Sequence, residues 1–241
     1  MAGPVKTEGV VLRSIRYGEA DRILHVYTPM RGKVGAIAKG VRRTKSRFGG
    51  RLEPFFHLNL VLHEGRSELL TVTSVETVAP HARLRADANA LDAAARACDA
   101  VGRLFDTPEA NPAVFGLLVT ELGLLDVNPI AHATHGNQLA FRLKLLLAAG
   151  LAPQLAACAA CGAQEHLVAF SGAEGGVVCA GCEAGSFPID AAAHAFMVAA
   201  LGTPLARAPK SAPRALKQVE RAIGETVDHH GAGRLRTAWA R

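Results

Sequence analysis

The sequence predicts an α+β multidomain chain: a small five-stranded β-barrel, then a mostly α-helical domain that carries a four-cysteine metal module. Three observations carry the prediction. Short β-rich runs alternate with glycine-containing turns over the first 80 residues. Helical spacing of apolar residues replaces that pattern after Pro80. Four cysteines in two C-x2-C pairs then interrupt the helical part. The expected domains are residues 1–80 and 81–241, with the metal module inserted at about 153–187. At 241 residues and 49% hydrophobic, the chain can bury a sizeable core, and wholesale disorder is excluded.

The strands are expected at Gly9–Arg16, Arg22–Thr28, Lys33–Lys39, Phe55–His63 and Leu69–Val78. Tyr17-Gly18-Glu19-Ala20-Asp21, Pro29-Met30-Arg31-Gly32 and Glu64-Gly65-Arg66-Ser67 supply turns, because glycine and short polar residues tolerate the backbone angles that turns need. Five strands in this length match the size of an OB-fold, and an SH3-like barrel would read the same way. Val41–Gly50 is too polar and too rich in glycine for a regular element and is expected to be a mobile loop.

From Asp87 to Phe105, Leu91, Ala94, Ala95, Cys98, Val101 and Phe105 recur at helical spacing. Thr107-Pro108 breaks that helix. Further helices fit Pro112–Leu125, Gly136–Ala149, Ala191–Leu201 and Ala212–Val227, with Gly150 as the stop of the Gly136–Ala149 helix.

Four of the five cysteines form Cys158-Ala-Ala-Cys161 and Cys179-Ala-Gly-Cys182, with 17 residues between the pairs. Two residues between cysteines let both thiolates face one tetrahedral ion, and the spacer is long enough for a hairpin that returns the second pair to the first. Gly162 and Gly181 are placed to make the tight turns. Four thiolates leave no open coordination position, so a single structural Zn2+ is expected rather than a catalytic one. Disulfides would need an oxidising compartment, to which nothing in the sequence points. The fifth cysteine, Cys98, falls on the apolar face of its helix and reads as core.

Charge points to a partner. Residues 1–80 hold 13 Lys/Arg and 7 Asp/Glu, a net of +6, whereas residues 81–241 hold 14 of each. Between Arg31 and Arg51 there are eight cations, Arg31, Lys33, Lys39, Arg42, Arg43, Lys45, Arg47 and Arg51, and no acidic residue. Such one-sided charge suits a polyanion. Phe48 within the segment, and Tyr17 and Tyr27 near strand ends, could stack on bases, or could fill a small core. The cysteine spacer from Ala163 to Val178 has Glu165 and Glu174 but no Lys or Arg, so the metal module is a poor phosphate binder.

Other classes fare worse. Gly40-Val-Arg-Arg-Thr44-Lys45-Ser46 lacks the second glycine of a phosphate-cradling P-loop. Asp228-His229-His230 is the one close acid–histidine cluster and reads as an exposed helix end, so no enzyme is expected. A zinc-ribbon adaptor for RNA or transcription is the alternative nucleic-acid reading. No apolar run is long enough to cross a bilayer and the start lacks a signal pattern, so a cytoplasmic protein is expected.

Gly9-Val-Val-Leu12, Tyr17-Gly-Glu-Ala-Asp-Arg-Ile-Leu24, Thr28, Gly32-Lys33, Ala38-Lys-Gly-Val-Arg-Arg43, Lys45-Ser46-Arg47 and Leu52-Glu-Pro-Phe55 together resemble the amino-terminal signature of the RecO family of bacterial recombination mediators. The four-cysteine insertion between helical blocks is similar as well. The resemblance implies an OB-fold over residues 1–80. It implies binding of single- and double-stranded DNA, annealing of complementary strands, and loading of recombinase onto DNA coated with single-strand-binding protein. It further implies work with RecR in RecF-pathway repair, at the nucleoid. The single-strand-binding protein would be contacted through its acidic tail by the helical domain, where Arg142 and Lys144, beside Leu143 and Leu145, are the candidates.

Overall fold

A computed structural model describes residues 3–65, 67–230 and 235. The expected turn residue Arg66 lies outside the described residues. The chain separates into two compact units, residues 1–127 and 128–241. The barrel strands end at Ala79, near the expected boundary, but the first three helices fall within the same unit as the barrel.

Five strands form the closed barrel: β1 (Val5–Tyr17), β2 (Asp21–Thr28), β3 (Gly32–Ala38), β4 (His57–His63) and β5 (Leu70–Ala79). Their order is β1-β2-β3-β5-β4. β1 is long enough to serve two neighbours. Its first half pairs with β4 and its second with β2, and a bulge between Val11 and Arg13 lets it bend from one to the other. Closure comes from a short parallel pairing, Ala36 with Leu70 and Ile37 with Thr71. Side chains alternate as a barrel requires. Val34, Ala36 and Ala38 point inward on β3, and Leu24 and Val26 do so on β2, meeting Leu58, Leu60, Leu62 and Val72 in one core. Each fully buried Leu or Val contributes about 1.5–3 kcal/mol relative to exposure.

Phe48 and Leu52 complete that core from outside the strands, at 1% and 0% exposure. The expected mobile loop is irregular in backbone, yet it is a series of turns anchored by an aromatic ring. Arg43 N–H donates to Gly40 O (3.2 Å), Ser46 N–H to Arg43 O (3.0 Å), Phe48 N–H to Ser46 Oγ (3.2 Å) and Arg51 N–H to Phe48 O (3.1 Å).

In the first unit the helices are α1 (Ala82–Ala86), α2 (Ala88–Leu104) and α3 (Pro112–Val127). Asp87 caps α2 by accepting from Ala90 N–H (2.9 Å), and Asp126 of α3 accepts from the N–H groups of Arg83 and Leu84 at the start of α1. Ala90, Ala93, Ala94, Ala97, Cys98 and Val101 form the buried face of α2, so Cys98 is core as expected. Burial pushes its thiol well above the ordinary range. The C-terminal end of α2 meets the barrel. Tyr27 packs edge-on against Phe105 with centroids 6.4 Å apart, and Lys33 Nζ donates to Gly102 O (2.9 Å), where the helix end favours a cation. Gly32 (φ 53°) lies under the Thr107–Glu109 backbone so closely that a Cβ would overlap it.

The second unit holds α4 (Pro129–His132), α5 (His135–Ala148), β6 (Leu167–Ser171), β7 (Gly176–Cys179), β8 (Phe187–Pro188), α6 (Ala191–Gly202) and α7 (Pro213–His229). α5 is buried on nearly every side and packs against α6 and α7, with Thr134 as its N-cap. The small sheet has the order β7-β6-β8, and Arg221 of α7 stacks on Phe187 at 4.1 Å. The short α1, α4 and β8 escaped the sequence reading because so few residues cannot display a period.

Replacing Phe48 with Ala should lower stability by about 3–5 kcal/mol, and Phe48→Leu by clearly less. Urea unfolding followed by circular dichroism checks this. Near-equal stability of Phe48→Ala would mean the ring is not a core residue.

Candidate nucleic-acid interface and metal centre

The cationic segment divides into three groups. Lys39, Arg42, Arg43, Lys45, Arg47 and Arg51 are all exposed. Among the described residues, no side-chain hydrogen bond or ion pair engages Lys39, Arg43 or Lys45. Arg42 donates from Nη1 to Glu19 O (3.1 Å), and its N–H donates to Ala20 O (2.9 Å), fixing the loop to the β1–β2 turn. Arg47 and Arg51 lean along β5: Arg47 lies 4.9 Å over the Phe48 ring, and Arg51 Nη1 donates to Val75 O (3.2 Å). A third group is committed to the fold. Arg31 pairs with Glu64, and Lys33 is held by the end of α2. Intramolecular partners offset those two charges, so the free positive charge of this segment is concentrated at residues 39–51.

One expected contact is corrected. Phe48 cannot stack on a base, because its ring is inside the barrel. Tyr27 is buried likewise, and burial raises its phenol to about 12. Tyr17 is the aromatic left outside, 54% exposed.

The four cysteines meet at one point. Their Sγ atoms lie within 4.8 Å of one another, and Cys161 and Cys179 are 3.7 Å apart. A tetrahedral ion bonded to sulfur at about 2.3 Å sets sulfurs about 3.8 Å apart, so the donor set fits a metal. The local backbone explains the convergence. Cys158 N–H donates to Ala163 O (2.7 Å) and Gly162 N–H to Cys158 O (2.9 Å), with Gly162 at φ 80° closing the first knuckle. The second knuckle is a 3-10 turn, Ala180–Cys182, in which Gly181 needs no left-handed angle. The β6–β7 hairpin returns one pair to the other, as the spacer length requires.

Without a cation these thiols are in conflict. Backbone N–H groups, that of Cys179 foremost, pull Cys158 down to about 6. The sulfurs of Cys161 and Cys179 push Cys182 up to about 12. A divalent ion held by Cys158, Cys161, Cys179 and Cys182 would remove the conflict by stabilising all four as thiolates. Cys158 is buried and Cys161 exposed, so the centre sits at the surface of the module.

The expected partner residues do not form a docking site. Arg142 is 3% exposed within α5 and engaged inside the protein. Lys144 is partly buried near Leu201 O (3.4 Å), and desolvation lowers its pKa. A helix buried on nearly all sides points its cations inward as well, which sequence periodicity cannot reveal. The same helix instead opens a cavity at its N-terminus. This pocket, of about 530 Å³, is lined by His132, His135, Arg207, Lys210 and Leu216 among others. Asp228, His229 and His230 are exposed at the end of α7, where the two imidazoles meet edge-on.

Comparison with known proteins matches residues 1–81 to the family model of the recombination protein O N-terminal domain, and residues 85–238 to that of its C-terminal domain. The chain belongs to the RecO family. Proteins described as DNA repair protein RecO are similar along most of its length. That of Anaeromyxobacter sp. (strain K) is 39% identical over 239 residues, covering 96% of this chain and 93% of the relative. That of Rubrobacter xylanophilus is 37% identical over 226 residues, covering 90% and 89%. That of Bifidobacterium adolescentis is 44% identical over 179 residues, covering 72% and 71%. The closed barrel and the cysteine cluster of this RecO-family chain accord with the architecture expected from its sequence. Among the described residues, no helix is long and apolar enough to cross a membrane.

Cys161→Ser should abolish binding of roughly one equivalent of metal per chain and destabilise the second unit, whereas Cys98→Ser should retain the metal. Elemental analysis of the reduced, purified proteins checks both. Full metal content in Cys161→Ser would contradict a four-thiolate centre.

Proposed function

We propose that this RecO-family chain is a mediator of recombinational DNA repair that binds DNA through the loop at residues 39–51. The observation that carries the reading is the set of exposed cations there, Lys39, Arg42, Arg43, Lys45, Arg47 and Arg51, on a loop anchored by one buried ring. Phosphates of single- and double-stranded DNA would exchange their counterions for these side chains, a contact that ignores sequence. Two complementary strands repel each other, and a cationic surface lowers that repulsion while leaving their bases free to pair. Annealing therefore needs charge held in place and no reacting side chain. Loading of recombinase onto coated DNA, with RecR as co-mediator, completes the role, which belongs in the cytoplasm at the nucleoid.

Zn2+ is the metal that four thiolates in tetrahedral array suit best, and its work here is structural. Cys158, Cys161, Cys179 and Cys182 would hold it. The spacer between the pairs carries Glu165 and Glu174 and no cation, which argues against the module as the DNA contact and against a zinc-ribbon adaptor. The acidic tail of single-strand-binding protein would enter the pocket at the N-terminus of α5. Arg207 and Lys210 would meet its carboxylates there, beside Leu216.

The triple variant Arg42→Ala/Arg43→Ala/Lys45→Ala should weaken binding to all sequences alike and reduce the salt slope by about one unit for each phosphate that is no longer neutralised. Fluorescence anisotropy across a salt series reads both quantities. Unchanged affinity and slope would remove the loop from the interface. Charge reversal at Arg207 and Lys210 should weaken an acidic peptide bearing the tail sequence by about tenfold or more, as read by calorimetry. Equal affinity would place the tail elsewhere.

A further inference from the structure

The two ends of the cysteine module are held by different means. At the hairpin end, Ser171 pairs with Gly176, and Gly172 lies so close to α7 that a Cβ would stand 2.7 Å from Glu225 O. Phe170 and Phe187 are buried there, and Arg221 of α7 covers the Phe187 ring. At the knuckle end the apolar cluster is small: Cys158, Ala169 and Val178, with Leu167, Val168, Cys179 and Cys182 packed against it. Cys158, Cys179 and Cys182 are themselves members of the metal centre. Packing therefore secures the hairpin end, whereas the knuckle end depends on what the four sulfurs do.

Those sulfurs are not equally placed. Cys158 is buried, Cys179 and Cys182 are half-buried, and Cys161 is exposed. Cys161 Sγ stands 3.7 Å from Cys179 Sγ, which belongs to the other knuckle. A disulfide bond is about 2.05 Å long, so the two sulfurs need approach each other by less than about 2 Å to bond. Charge selects what reaches Cys161. From Cys158 to Phe187 the chain carries Glu165, Glu174 and Glu183 and no Lys or Arg. Carboxylates around an exposed sulfur disfavour anionic reagents such as glutathione disulfide. A small neutral oxidant meets no such barrier.

We propose that Cys161 is a modification site for hydrogen peroxide, resolved by Cys179, and that its oxidation releases the metal and opens the knuckle end of the module. The Cys161 thiolate attacks one peroxide oxygen, the O–O bond breaks, and the departing hydroxide takes a proton from solvent to become water. Cys161 is then a sulfenic acid. The Cys179 thiolate attacks the Cys161 sulfur, the S–O bond breaks, and a second hydroxide leaves and is protonated to water. The two sulfurs have lost two electrons, and one peroxide has gained them. Cys158 and Cys182 remain, and two sulfurs do not complete the tetrahedral set that four supply. Because the hairpin end stays packed on α7, reduction of the disulfide returns the sulfurs to one point. This rests on the reading of the centre as a structural Zn2+ site and gives that site a second, oxidised state.

The test uses the full-length, reduced, Zn2+-loaded protein treated with hydrogen peroxide. Metal release is followed with a chromogenic chelator, and bonded sulfurs are mapped by peptide mass spectrometry. The expected result is release of roughly one equivalent of Zn2+ per chain with an intrachain Cys161–Cys179 disulfide, both reversed by dithiothreitol and added Zn2+. Cys161→His keeps a fourth metal ligand and removes the attacked sulfur, so its Zn2+ should leave about tenfold more slowly or less readily still. Cys98→Ser should behave as the parent does. Glutathione disulfide at the same concentration should release Zn2+ about tenfold more slowly than peroxide. A first disulfide within either knuckle, sulfinic acid at Cys161 with no disulfide, or Zn2+ retained under peroxide would overturn the proposal. So would equal release from a Zn2+-loaded Cys161→His, or from the parent treated with glutathione disulfide. Should Cys161→His bind no Zn2+, the disulfide map of the parent decides alone. Untreated, reduced protein that contains no metal would overturn the metal reading itself, an outcome distinct from bound Zn2+ that peroxide does not move.

Discussion

Burial of Phe48 is the contact on which the rest of the amino-terminal unit depends. Like charges packed along a short segment repel one another, and the glycines at 40, 49 and 50 give the backbone freedom to let them spread. The ring resists both tendencies by sitting in the barrel core at 1% exposure. Transfer of a phenylalanine side chain from water contributes about 1.5–3 kcal/mol, comparable to several weak repulsions between solvated charges. The core therefore bears the cost of gathering the cations, and a polyanion would not be required to order them on arrival.

The two structured sites use opposite means to hold charge. In the barrel unit, Arg31 and Lys33 are spent on partners within the fold, whereas among the described residues Lys39, Arg43 and Lys45 have none and remain available. In the cysteine module, four thiols are brought together so closely that lowering one raises its neighbours, and a cation would stabilise them jointly as thiolates. The first arrangement is stable by itself and waits for a ligand. The second would be completed by an ion, and metal binding and folding of the module would then be one process.

Much of this was legible in the sequence, for identifiable reasons. Strand alternation in β3 and the glycine turns marked the barrel because a period of two survives in short segments. Cysteine spacing marked the metal centre because two-residue gaps have few other uses. The side of the barrel on which Phe48 would lie was not legible, since a lone aromatic in a polar loop has no period. Arg142 and Lys144 misled because α5 is surrounded, and charge in a surrounded helix turns toward internal partners.

Barrel closure has a mechanical consequence. β3 and β5 are joined by only two residue pairs, whereas the neighbouring seams each run over six or seven. When the barrel breathes, hydrogen exchange should begin at this short parallel stitch, because local opening starts where the fewest backbone bonds must break. Arg47 and Arg51 reach onto β5 just beyond it. The carbonyls they meet, of Val72 and Val75, belong to β5 beyond the paired residues, so closure itself rests on those two pairs alone.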